Sequence, residues 1–308
     1  MNKTVFLFSG QGSQYAGMGK ELAEKYPQIY DIYKIASNIL GFDLAEISFN
    51  GTNEELSKTS ISQPAIMACS LAAFEAMKIN GIEFSAVAGH SLGEYAAMVA
   101  AGMISIEDGF RIIKARAAAM QRAAENSSGQ MYAIIGMDAK QIEEECSKID
   151  GYVVPVNYNS TAQTVIAGDV DATSKAADRF VELGAKAMKL NVAAAFHSEL
   201  MRPAADEFEN AIKDFAFTAP NVKFFSNLTG DEMTDFTEIP QKLAKHIVSP
   251  VKFTLELAKL EELGYNNYIE LGPNKVLTGL VKKTLKGVNA VNVENVKTLE
   301  KALASLVK

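Results

Sequence analysis

The chain has 308 residues, 48% of them hydrophobic and 22% charged, enough to bury a substantial core without a disulfide or a structural metal. At roughly 150 residues per domain, about two domains, or one large domain with an insertion, are expected. Thirty Lys+Arg against 37 Asp+Glu give a net charge of −7, which argues against a nucleic-acid binder.

The first apolar run, residues 5–9, is too short for a secretory signal, and no stretch approaches the ~18 apolar residues of a membrane span. A cytoplasmic protein that does not enter a membrane is therefore expected. Cys69 and Cys146 stand far apart with no CxxC or Cys/His cluster. They read as two buried reduced thiols, not as a disulfide or a zinc site.

Residues 5–8 (VFLF) read as a buried strand ending in a glycine-rich turn, with helices at 18–26 and 28–40. Gln63 and Pro64 open a helix to about Asn80, with Pro64 in its first turn, where a missing N–H costs nothing. Residues 86–89 (AVAG) form a short buried strand, Ser91 opens a helix to about residue 101, and a third helix covers 106–124. Strand, tight turn and helix in alternation predict a parallel sheet covered by helices.

The polar stretch 125–129 (ENSSG) reads as a linker. After it come a strand at 131–135, a helix at 139–149, strands at 152–157 and 164–167, a helix at 171–183 and a strand at 185–190. That β-α-β-β-α-β order is the ferredoxin-like unit. It makes 125–196 a small domain inserted into a larger one built from 1–124 and 197–308. The α/β rhythm then resumes with a helix at 198–215, a strand at 222–225, helices at 240–247 and 253–263, a strand at 268–271 and a last helix at 298–307. From Lys275 onward there are seven lysines and two acidic residues. They read as a solvated helical surface, with docking of an acidic partner as a second reading.

Gly89-His90-Ser91-Leu92-Gly93 is a G-x-S-x-G pentapeptide between a predicted strand and a predicted helix, the setting of a nucleophile elbow. Glycines flank the serine because the sharp turn leaves no room for Cβ atoms, and the helix points its first N–H groups at the serine's surroundings. Three histidines could serve as its base. His90 adjoins Ser91 on the turn, so its side chain is expected to point away from the serine. His197 lies where the inserted domain ends, beside an expected cleft, a reasonable place for a general base. His246 sits late on a helix before Pro250, where position alone does not separate charge compensation from function.

Ser9-Gly10-Gln11-Gly12-Ser13-Gln14 follows the first strand, but Tyr15 stands where a dinucleotide fingerprint needs glycine, and no P-loop Gly-Lys-Ser/Thr is present. The loop suits close backbone approach and a second oxyanion donor. Of five arginines, three share the 106–124 helix. Arg116 falls on the apolar stripe with Ile112, Ile113 and Met120, whereas Arg111 and Arg122 lie on more polar faces. A guanidinium there needs a carboxylate or an anionic ligand, and periodicity does not choose between an internal salt bridge and a substrate.

GQGSQ, GHSLGEY, an arginine about 25 residues beyond the serine, PVNYNS, FHSELM, SPVKF and ELGPNKVLTGL occur in this order over essentially the whole chain. Together they resemble the malonyl-CoA:acyl carrier protein transacylases of bacterial fatty-acid synthesis. The resemblance implies an α/β-hydrolase-like core with a parallel sheet plus an inserted ferredoxin-like small domain, which agrees with the rhythm above. It implies transfer of malonyl from malonyl-CoA to an acyl carrier protein by a monomer, with no metal or other cofactor.

Carried over by position, Ser91 is the nucleophile, His197 the base, and the backbone N–H groups of Gln11 and Leu92 the oxyanion hole. Arg116 binds the malonyl carboxylate, with Met120 beside it in the substrate pocket. Asn159 supports the site, and Phe196 matches the malonyl-type pattern. Where the family usually has glutamine, this chain has His246; its backbone carbonyl orients the base, and the role of its imidazole stays open. The same Ser–His chemistry would serve an esterase or thioesterase, and a carrier-binding module without chemistry is a third reading. Arg116 on an apolar stripe, together with Phe196-His197, favours transfer.

Overall fold

The computed structural model describes residues 3–126, 128–192 and 194–306. Its larger sheet joins β1 (Lys3–Phe8), β2 (Ala86–Gly89), β7 (Lys223–Ser226), β8 (Asp231–Glu232), β9 (Tyr265–Leu271) and β10 (Asn289–Val293) in the order β10-β9-β1-β2-β7-β8. All neighbours are parallel except the short edge strand β8. Within β1, Phe6 and Phe8 pack into one apolar cluster with the Thr59–Ile79 and Ile106–Asn126 helices, and Val5 and Leu7 pack into another with the Phe253–Glu262 helix. Burial on both faces is why VFLF is a continuous apolar run and not an alternating one.

The second sheet comprises β3 (Gly129–Ile135), β4 (Val153–Ser160), β5 (Gln163–Asp169) and β6 (Lys186–Lys189), antiparallel throughout in the order β4-β5-β3-β6. Ile134 and Ile166 pack toward the Ala139–Cys146 and Val170–Glu182 helices, while Met131, Ala133, Val165 and Ala167 join the main cluster. The period-two alternation of β3 and β5 thus sets one face of this sheet against the larger body of the protein. A further tie comes from Val251, whose N–H donates to Val156 O at 2.8 Å and whose carbonyl accepts from Tyr158 N at 2.9 Å.

Phe8 pairs with Gly89 across β1 and β2, so the loops leaving these two strands emerge side by side. A Cβ on Gly93 would lie 2.1 Å from Phe8 O, and one on Gly10 would lie 2.6 Å from His90 O. Only glycine permits that approach, which sets the loop that carries Gln11 against the loop that carries Ser91.

Several sequence expectations need correction. The fourth helix starts at Thr59, not near Gln63, and Pro64 lies inside it. Gln121 Oε1 accepts the Thr59 N–H at 3.1 Å, a tertiary cap that lets the helix begin a turn earlier. The helix after the elbow begins at Gly93, because Ser91 has φ 54° and stands outside it. There is no full linker at 125–129: the helix runs through Asn126 and β3 starts at Gly129, with Ser127 outside the described residues. The 198–215 helix is a short 3-10 turn followed by Arg202–Ile212, and the last helix is Val296–Leu306, with Val307 outside the described residues. The helices Leu44–Asn50 and Val276–Thr284 and the strands β8 and β10 were not anticipated.

Candidate active site

Ser91 and His197 both carry left-handed backbone angles, φ 54° and 62°, which non-glycine residues hold only when their surroundings over-determine them. At Ser91 the determinant is Asn227, fully buried, whose Oδ1 accepts the Ser91 N–H at 2.6 Å and whose Nδ2 donates to Gly89 O at 2.7 Å. The amide therefore staples both sides of the turn. His197 comes from the segment after β6, 106 positions along the chain, and its Nε2 lies 2.7 Å from Ser91 Oγ.

The tautomer of His197 follows from its other nitrogen. Nδ1 faces the carbonyls of His246 at 3.0 Å and Ser249 at 3.1 Å, and a carbonyl can only accept. Nδ1 therefore carries the proton, and Nε2 presents its lone pair to the Ser91 hydroxyl. Two backbone carbonyls take the place that a carboxylate holds in a Ser-His-Asp triad.

Burial drives the His197 pKa well below the ordinary histidine value of 6.5, and the nearby His246 and Arg116 push it the same way. The imidazole is thus an unprotonated base at neutral pH. The rate at which a serine-directed sulfonyl fluoride inactivates the protein should stay level as pH falls through 6.5 and drop only below it. An acid limb centred at or above 6.5 would contradict this. The linkage runs in the same direction: the unfolded chain takes up this proton near pH 6.5 and the folded chain does not, so stability falls as pH drops below that value.

Arg116, on the Ile106–Asn126 helix, is 1% exposed. Its Nη2 donates to Ser91 Oγ at 3.1 Å, its Nη1 donates to Gln63 Oε1 at 2.8 Å, and its Cζ lies 5.4 Å from the centre of the Tyr95 ring. Among the described residues no carboxylate pairs with it, whereas the exposed Arg111 and Arg122 pair with Asp108 and Glu207. Among the described residues the internal salt bridge left open by periodicity is absent. What remains is a buried cation beside the serine, suited to an anionic ligand.

A cleft of about 490 Å³ is lined by Gln11, Ser91, Met120, Asn159, Phe196 and His197, among others. Met120 Sδ lies 3.4 Å from Gln63 Nε2. Asn159 Oδ1 lies 2.8 Å from His90 Nε2, so the His90 ring is engaged by Asn159 and not by the serine. Leu92 follows Ser91 directly, and among the described residues neither its N–H nor that of Gln11 has a hydrogen-bond partner. The His246 carbonyl lies 3.0 Å from His197 Nδ1.

Six of the nine candidate residues line this cleft, while Arg116 and His246 touch it through their hydrogen bonds to Ser91 and His197, and Leu92 adjoins Ser91 in the chain. Gln63, Asn227, Ser249 and Glu94 were not anticipated. Glu94 left a local signal, a carboxylate in the otherwise apolar helix Gly93–Ala100; Asn227 left none. Among the described residues no group of three His, Cys, Asp or Glu is placed to hold a metal ion, and no helix is long and apolar enough to cross a membrane.

The acyl transferase domain model matches residues 5–304 of the chain. Malonyl CoA-acyl carrier protein transacylase of Bacillus subtilis (strain 168) is 39% identical over 310 residues, covering 99% of this chain and 98% of that one. The crystal structure of the transacylase from Clostridium perfringens superposes with a TM-score of 0.94 at 38% identity, covering 99% of this chain and 97% of the other. A malonyl-transacylase in complex with a type II PKS acyl-carrier protein also superposes at 0.94, with 35% identity, covering 99% of this chain and 100% of the other. The chain belongs to the acyl transferase family and, within it, to the malonyl CoA-acyl carrier protein transacylases.

Proposed function

We propose that this protein moves a malonyl group from malonyl-CoA to the phosphopantetheine thiol of an acyl carrier protein, with Ser91 as nucleophile and His197 as base. The observation that carries the reading is Arg116, a buried guanidinium unpaired with any carboxylate among the described residues and 3.1 Å from Ser91 Oγ. Malonyl differs from other short acyl groups in its free carboxylate, and a planar guanidinium can hold one with two parallel hydrogen bonds.

In the first half-reaction Ser91 Oγ bonds to the thioester carbon while its proton passes to His197 Nε2. The N–H groups of Gln11 and Leu92 are the donors for the tetrahedral oxyanion. Collapse breaks the carbon–sulfur bond, His197 returns its proton to the departing sulfur, and CoA leaves a malonyl-serine ester. In the second, the carrier thiol gives its proton to His197 as its sulfur bonds to the ester carbon. The carbon–Oγ bond then breaks and the proton returns to Ser91. Met120, Asn159 and Phe196 shape the pocket around the acyl chain.

The proposal includes an α/β-hydrolase-like core, residues 1–124 and 197–308, and an inserted ferredoxin-like subdomain, 125–196. The strand order β4-β5-β3-β6 with two helices on one face supports the second part. Cys69 and Cys146 are free and buried, in keeping with the reducing cytoplasm.

An esterase or thioesterase would use the same Ser–His pair. CoA release from malonyl-CoA separates the two. Without carrier protein, the account expects release of about one equivalent per chain and then a near stop, with turnover restored by holo carrier protein. Sustained release without an acceptor would favour hydrolysis.

A further inference from the structure

The nucleophile and the base reach the cleft from segments far apart in the chain, and one carboxylate lies behind both. Glu94 is 1% exposed. Its Oε1 accepts the Asn227 backbone N–H at 2.6 Å, and Asn227 is the residue that staples the Ser91 turn. Its Oε2 lies 3.0 Å from Nδ1 of His246, the residue whose carbonyl holds the His197 ring. From this geometry we infer that Glu94 and the His246 imidazole form a clamp that keeps Ser91 and His197 in register, each a positioning residue acting through a neighbour.

The surrounding atoms fit that role. Asn227 Nδ2 also donates to Glu256 Oε1 at 2.6 Å, and burial together with the nearby Glu94 pushes the Glu256 carboxyl well above the usual range. Both influences favour the neutral form of Glu256. His246 is 2% exposed, and its Nε2 has no partner among the described residues, so the bond to Glu94 is the polar contact that fixes its ring. Releasing that ring frees the last turn of the Ile239–Ile247 helix, and with it the carbonyl that aims His197. A shift well under 1 Å in the base is enough to slow proton transfer, because misplacement by about 1 Å can cost roughly a hundredfold.

The inference rests on the acyl-transfer reading, and two substitutions of equal length test it separately. In His246→Gln the amide can still donate to Glu94; in His246→Met nothing can. For transfer to carrier protein, the expectation is kcat within about threefold of wild type in His246→Gln and a loss of roughly tenfold or more in His246→Met. The KM for malonyl-CoA should be unchanged in both, since Arg116 is untouched. Equal kcat in the two variants would overturn the clamp and leave only the backbone carbonyl with a role. Should His246→Met lose its cooperative melt, the isosteric Glu94→Gln serves instead: lowered kcat at constant KM supports the clamp, and wild-type kcat overturns it. Transfer that survives in Ser91→Ala would instead bring down the acyl-transfer reading itself.

Discussion

Ser91→Ala should lower malonyl transfer by roughly 10⁴- to 10⁶-fold, the scale set by removing the nucleophile of other serine enzymes. The loss should fall on kcat, because Ala removes only the hydroxyl and leaves Arg116 and the cleft walls in place. The folded state should survive, since the Ser91 backbone N–H and its bond to Asn227 Oδ1 do not depend on the side chain. The removed Oγ currently accepts from Arg116 Nη2 at 3.1 Å and meets His197 Nε2 at 2.7 Å. A steady-state assay with malonyl-CoA and holo carrier protein, run beside a thermal melt, separates chemistry from folding.

Arg116→Ala should be the next largest loss, and a selective one. Truncating one member of a buried, hydrogen-bonded charge pair costs about 2–5 kcal/mol, so malonyl transfer should fall by roughly 30- to 5,000-fold. Acetyl carries no carboxylate, so slow acetyl transfer should change by less than about tenfold, and the preference for malonyl should collapse. Arg116→Lys keeps the charge but loses the planar fork, and should lie between the two. The ratio of malonyl to acetyl kcat/KM in the three proteins is the measurement. Equal losses for both acyl groups would remove Arg116 from substrate selection.

The parts of the site that could be read from sequence are those set by local chemistry. The elbow needs a strand, a serine between glycines and a helix, all within a short stretch, and the structure keeps that arrangement. Arg116 stood out because helical periodicity put a charge on an apolar stripe, although its partner could not be read from the same pattern. The parts that could not be read are tertiary. Asn227 reaches Ser91 across 136 positions and Gly89 across 138, and nothing near FFSNLTG hints at either. The early start of the Thr59–Ile79 helix likewise depends on Gln121, 62 residues away. In the C-terminal region, lysines and glycines mask the Val276–Thr284 helix. Its first N–H groups are capped not by a neighbour but by Glu270 in the preceding strand, which accepts from Leu277 and Thr278 at 3.0 and 2.7 Å. β10 is short, and its pairing with β9 is what makes it a strand.

The central claim is a malonyl group carried on Ser91 between two thiols. Intact-protein mass spectrometry tests it most directly, after brief exposure to malonyl-CoA and again after a chase with holo carrier protein. The account expects the mass of one malonyl group to appear on the wild-type chain, to be absent from Ser91→Ala, and to move to the carrier protein in the chase. Malonyl-carrier formed with no adduct on the chain at any time, or an adduct that persists in Ser91→Ala, would contradict it.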